Sequence, residues 1–196
     1  MRPPRHKALV DKAVSACLAA VEIYNKPLFP HREEVFAIMM INAWELLLKA
    51  RILKEGGNKM RVLYQMETPD TKAGKPGRRQ KIRMTGGGTP RTIPLGTAIA
   101  QAAKLKANPL PPVAEDNIRA IAEIRNAAVH FVNADEMLQE KVWQLGTGSL
   151  KNFVRAAQDW FGCDLLVRSP PLVQGLRNSS GSFSLLGERP RGQVPQ

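Results

Sequence analysis

"HREEVFAIMMINAWELLLKARILKE", residues 31–55, is the stretch whose reading decides the fold. Pro30 precedes it, Glu33 and Glu34 stand in its first turn, Lys54 stands near its end, and Gly56-Gly57 follows. Acids at the start and a base at the end suit the helix dipole, and the glycine pair is a stop signal. The segment reads as one long helix from about His31 to Glu55. Phe36, Met39, Met40, Ala43, Trp44, Leu46, Leu47, Ala50 and Leu53 cover most of its circumference with apolar groups. A helix apolar on nearly all sides belongs at the centre of a bundle, covered by others. Against that, Asn42, Glu45 and Lys49, at i, i+3 and i+7, form one narrow polar strip. The strip has two readings: a solvent-facing seam closed by a Glu45–Lys49 i,i+4 pair, or the floor of a site.

The neighbouring segments supply the covering helices. Residues 6–25 repeat Leu9, Ala13, Ala16, Ala20 and Ile23 at helical spacing and stop at "NKP". "GTAIAQAAKLKA", 96–107, is a short helix ended by "NPLPP". Another runs from Val113 to about Val132 with Glu115 and Asp116 in its first turn, and the last from Asp135 to Phe161, with Gly146 and Gly148 as kink candidates. Between the second and third helices, residues 57–95 change character. The β-favouring runs "MRVLYQM", "QKIRMT" and "RTIPL" are separated by "ETPDTKAGKPGR" and "GGGTP", the pattern of a small hairpin or three-stranded meander. Gly86 to Gly88 lack a following GK[ST], so they read as a turn and not a phosphate cradle. The expected class is therefore all-α: one helical domain over 1–162 with a β insertion at 57–95, then a Ser-, Gly-, Pro- and Arg-rich tail over 163–196 read as disordered.

Charge is regional. The formal net charge is +12, of which residues 57–95 carry +7, residues 1–7 and 168–196 carry +3 each, and the helical body is nearly neutral. A near-neutral core with basic arms is the pattern expected of a chain that meets a polyanion, RNA or DNA first among them; the alternative is that the basic loops are simply solvated. Arg78, Arg79, Lys81, Arg83 and Arg91 of the insertion are the residues expected to hold its backbone. Cys17 and Cys163 lack the spacing of a metal or redox motif and read as buried free thiols. His6, His31 and His130 are scattered, so no metal and no cofactor enters the reading. No stretch matches a membrane span, and the N-terminus lacks the apolar run of a secretory signal, which makes a cytoplasmic protein the expectation.

The chemistry-bearing cluster is "EIRNAAVHF", residues 123–131. At about 100° per residue, Ile118, Ile121, Ala122, Ala128, Val129 and Val132 form an apolar arc, and Arg125 projects from it. A guanidinium keeps its charge and must find water, an acid or a phosphate. Asn126 and His130 are i and i+4 at the edge of the arc, with Glu123 placed to orient the imidazole. The plain alternative is that Arg125 and His130 cap carbonyls and pair with an acid such as Glu45.

Arg-Asn-x-x-x-His near a helix end resembles the Arg-x(4 to 6)-His signature of the HEPN superfamily of all-α domains. "NAWELLLKA" and the helix order strengthen the likeness, which covers roughly residues 7–161 and points to an uncharacterised bacterial branch. The resemblance implies a HEPN-like bundle and a metal-independent endoribonuclease of a prokaryotic toxin–antitoxin or phage-defence system. It also implies a homodimer whose two motifs face one cleft, with RNA as substrate and an antitoxin or defence protein as partner. In that role Arg125 clamps the phosphate, His130 moves the proton and Asn126 orients; Asn42, Glu45 and Lys49, from the strip on the second helix, and Glu123, near His130, are the supporting residues expected from spacing. Other members of the superfamily serve as binding or regulatory modules, and that alternative stays open for this chain.

Overall fold

The computed structural model describes residues 3–26, 28–69, 77, 79–129 and 136–165; side chains at 127–129, 136–141 and 143 are not among those described. Five helices carry these residues: α1 Arg5–Tyr24, α2 Arg32–Glu55, α3 Leu95–Ala103, α4 Pro112–Val129 and α5 Glu136–Phe161. α2 packs against each of the other four, most extensively α1, and α4 packs against α5. The apolar circumference read from its sequence is therefore used: Phe36, Met40, Trp44, Leu47 and Leu53 are all almost fully buried. At its C-terminus the Asn58 N–H reaches back to the Leu53 carbonyl at 2.8 Å, with Gly57 at φ +64°. That left-handed turn is the ordinary reason for glycine just beyond a helix. Asn58 then holds the start of α1, its Oδ1 lying 2.7 Å from His6 Nδ1.

α1 presents a face turned slightly from the one expected. Val10, Ala13, Val14, Cys17, Ala20, Val21 and Tyr24 are buried, whereas Leu9, Ala16 and Ile23 are half-buried. The helix is apolar over a wide arc, so spacing leaves its rotation open and its packing on α2, where Tyr24 meets the Phe36 ring edge-on at 5.3 Å, settles it. Both cysteines are free and buried, as expected. α3 ends at Ala103 and not at 107, because Leu110 folds back into the core and its N–H donates to the Ala102 carbonyl at 3.1 Å.

Neither Gly146 nor Gly148 breaks α5, which is helical throughout Glu136–Phe161. Their role is close approach. A Cβ on Gly146 would lie 2.8 Å from Phe36 Cε1, and one on Gly148 would lie 3.2 Å from Asn117 Nδ2. Between them the helices share a buried polar link, Trp44 Nε1 donating to Ser149 Oγ at 2.7 Å.

The 57–95 insertion contains a two-stranded antiparallel sheet, β1 Met66–Glu67 with β2 Lys81–Ile82. The first β-favouring run is only half extended, since Met60–Leu63 forms a 3-10 turn that drops Leu63 into the core. Single bridges, Tyr64 with Thr92 and Met84 with Pro90, bring in the third segment. The three segments close on one another: the Gln65 N–H donates to Arg91, the Arg91 N–H to Arg83, and the Arg83 N–H to Gln65, each at 2.8 Å. Gly86–Gly88 make the turn between the last two, with Gly88 at φ +75°. Leu63 and Ile93 anchor the insertion's base, joined by a 2.8 Å backbone bond. The core runs past the boundary expected at 162, for Cys163 and Leu165 are both buried. Residues 166–196 of the expected tail, together with Arg78 and His130, lie outside the described residues.

Candidate functional site

α4 sets the site. Ala114, Ile118, Ile121 and Ile124 are its buried stripe, and Arg125 continues that stripe half-buried, where the cover of α2 and α3 thins. A cavity of about 550 Å³ opens there between α2, α3 and α4. From α4 it takes Arg119, Ala122, Glu123, Arg125 and Asn126, and from α2 Glu45. Pro94, Leu95, Gly96 and Ile99, at the start of α3, form the remaining wall. Four residues singled out in the sequence, Glu45, Glu123, Arg125 and Asn126, thus meet in one concavity. Asn42 is exposed and is not part of the lining.

The charged groups differ in how far they are committed. Arg125 donates through Nε and Nη2 to the Asn126 side-chain oxygen at 3.2 and 2.9 Å, and has no carboxylate partner among the described residues. Glu123 is exposed and makes no hydrogen bond or ion pair with the other described residues. Arg119 is held by Glu115 one turn earlier, at 2.7 Å. Glu45 is held by Lys49 at 2.6 Å, so the i,i+4 pair expected on α2 forms. It is no open seam, however: the Lys49 side chain is only 11% exposed and donates a second bond, 2.9 Å long, to Thr92 Oγ1 of the insertion. Ammonium, carboxylate and hydroxyl satisfy one another, as a nearly buried charge requires. The intramolecular Arg125–Glu45 pair of the plain reading is absent among the described residues, since Glu45 pairs with Lys49.

Thr92 links the site to the basic insertion. Only Ile93 separates it from the cavity wall at Pro94, and Arg91 precedes it. Arg79, Lys81, Arg83 and Arg91 are all exposed, with Arg83 leaning on Glu67 at 3.7 Å. Sequence reasoning missed Arg119 and the start of α3. Arg119, Glu123 and Asn126 recur at i, i+4 and i+7, a polar edge that a helical wheel could have shown. No local signal marks Pro94–Gly96. A second cavity of about 560 Å³ lies at the start of α1 and the ends of α2 and α5, lined by His6, Lys7, Asp11, Lys54 and Phe161 among others, and holds none of the residues expected to form the site.

Fold and site together define a mostly helical protein with a small two-stranded sheet and an insertion-flanked cavity lined by arginine, carboxylate and amide side chains. Residues 8–177 match the family described as a domain of unknown function, DUF3644, and the chain belongs to that family. The match continues beyond residue 162, in keeping with the buried Cys163 and Leu165. No curated protein and no solved structure matches the chain.

Proposed function

We propose that the chain is a metal-independent endoribonuclease of the HEPN type, acting in the cytoplasm within a prokaryotic toxin or phage-defence system. The observation that carries the reading is the half-buried Arg125: it lies in a cavity with Asn126, Glu45 and Glu123, and no described carboxylate neutralises it. A cation held there at the expense of desolvation suits a ligand of opposite charge, and a phosphodiester is the ligand that the adjoining basic strand would deliver. His130 follows α4 directly in the chain. An imidazole can take the proton of a ribose 2′-OH or return one to the departing 5′-oxygen, while the guanidinium stabilises charge on the phosphorane between. The 2′-oxygen forms the new bond to phosphorus as the bond to the 5′-oxygen breaks, leaving a 2′,3′-cyclic phosphate. A homodimer would place two such motifs at one cleft and supply one imidazole for each proton transfer.

Single-stranded RNA incubated with the full chain in EDTA tests this. Cyclic-phosphate ends are expected, and Arg125→Ala and His130→Ala should each lower cleavage about 100-fold or more, the size usual for losing such groups. Variants as active as the parent would end the proposal. The second reading, an RNA-binding or regulatory module without catalysis, is favoured by the exposed Arg79, Lys81, Arg83 and Arg91. Salt-sensitive binding with intact product-free RNA would select it.

A further inference from the structure

The cavity on α4 is not uniformly cationic. Arg119 and Arg125 share it with the carboxylates of Glu45 and Glu123, and Pro94, Leu95, Ile99 and Ala122 add an apolar wall. A phosphate alone would be poorly served, because each carboxylate repels it where each guanidinium attracts it. A whole nucleotide uses all three kinds of surface: phosphate on arginine, base face on apolar side chains, base edge on a carboxylate. The volume of about 550 Å³ suits such a ligand, being within the range of roughly 300–1,000 Å³ usual for small-molecule sites. Entry of a base edge requires a nucleotide outside a duplex.

Carboxylates accept hydrogen bonds and cannot donate them, which sorts the bases. Guanine alone presents two adjacent donors, N1–H and the N2 amino group, matched to the two oxygens of one carboxylate. Adenine and cytosine set a ring-nitrogen lone pair beside their single amino group, and uracil flanks its N3–H with two carbonyl oxygens; each of these repels the second carboxylate oxygen. Glu45 has one oxygen engaged by Lys49, whereas Glu123 has both free among the described residues. We infer that this cavity takes an unpaired guanosine nucleotide of RNA, with Glu123 reading its N1–H and N2 amino group. The inference rests on the ribonuclease reading for its substrate and adds base specificity to it.

The test has two arms, both in EDTA with the full chain. One maps cleavage of single-stranded RNA containing all four bases in varied context. The other measures binding of guanosine 3′-monophosphate against the adenosine, cytidine and uridine monophosphates by calorimetry. Guanosine is expected to be preferred at least about tenfold, since a site built to pair polar edges rejects a ligand that leaves them unpaired. Glu123→Gln, which swaps one acceptor for a donor, and Glu123→Ala should each erase that ratio. As the side chain is exposed and unpaired among the described residues, melting temperature serves as the folding control. A guanosine preference in either arm that both variants lose supports the inference. RNA cut evenly at all four bases without mononucleotide preference overturns it and leaves the ribonuclease reading standing. A preference that survives both substitutions overturns it as well. No cleavage, but guanosine binding lost with Glu123, removes the nuclease and keeps the pocket; neither cleavage nor preference removes both.

Discussion

Gly146 is where α5 lies directly against the Phe36 ring of α2. A methyl group there would press on the Phe36 ring, which is itself 1% exposed and has nowhere to move. Overpacking of a filled core costs about 1–3 kcal/mol, against roughly 1 kcal/mol gained by replacing glycine in a helix interior. Gly146→Ala should therefore fail to stabilise the protein and lower its stability by up to about 2 kcal/mol in urea unfolding, contrary to what helix propensity alone predicts. Ser149→Ala acts by another route. It strands the Trp44 indole N–H in a site with no exposure, and an unpaired buried donor costs about 1–3 kcal/mol. Cys17 illustrates the same desolvation for a charge: burial pushes its thiol pKa up, disfavouring the thiolate. A raised folded-state value means that this contribution to stability is whole below the unfolded pKa, about 8.5, and falls as pH rises beyond it. Alkylation of Cys17 should accordingly track unfolding and not the pH of the native protein, which mass spectrometry of the labelled peptide can check.

Among the elements, α2 carries the most information. Its ends, length and central position were legible, because dipole-matched termini, a glycine stop and all-round apolarity are local properties. Its polar strip was only partly so. Asn42 is exposed, Glu45 is on the cavity, and Lys49 is turned under the insertion, a difference that three polar residues at helical spacing do not encode. Through Thr92, Lys49 fastens the closing segment of the insertion to α2. Lys49→Met removes the tether while keeping the length of the side chain. Amide exchange at Gln65, Arg83 and Arg91, the three donors that knit the insertion together, should accelerate about tenfold for each 1.4 kcal/mol lost from its local stability. Exchange in the middle of α2 should change far less.

Across the whole molecule, charge and fold are separable. The helical body is close to neutral, and the insertion holds more than half of the net +12. If the insertion carries RNA backbone, replacing Arg79, Lys81, Arg83 and Arg91 by alanine should flatten the log–log salt dependence of binding by about 0.7 for each phosphate no longer neutralised, with melting temperature little altered. No helix among the described residues is long and apolar enough to cross a membrane. The helices, their order, the basic insertion and the Arg125–Asn126 cluster could all be read from the residues, since periodicity, capping and composition act over a few turns of chain. Tertiary structure alone decided which side of α1 faces inward, that Gly146 and Gly148 admit neighbours within an unbroken helix, and that Pro94–Gly96 close a cavity over α4. Each of those depends on surfaces brought together from distant parts of the chain, and packing of that kind leaves no mark at helical spacing.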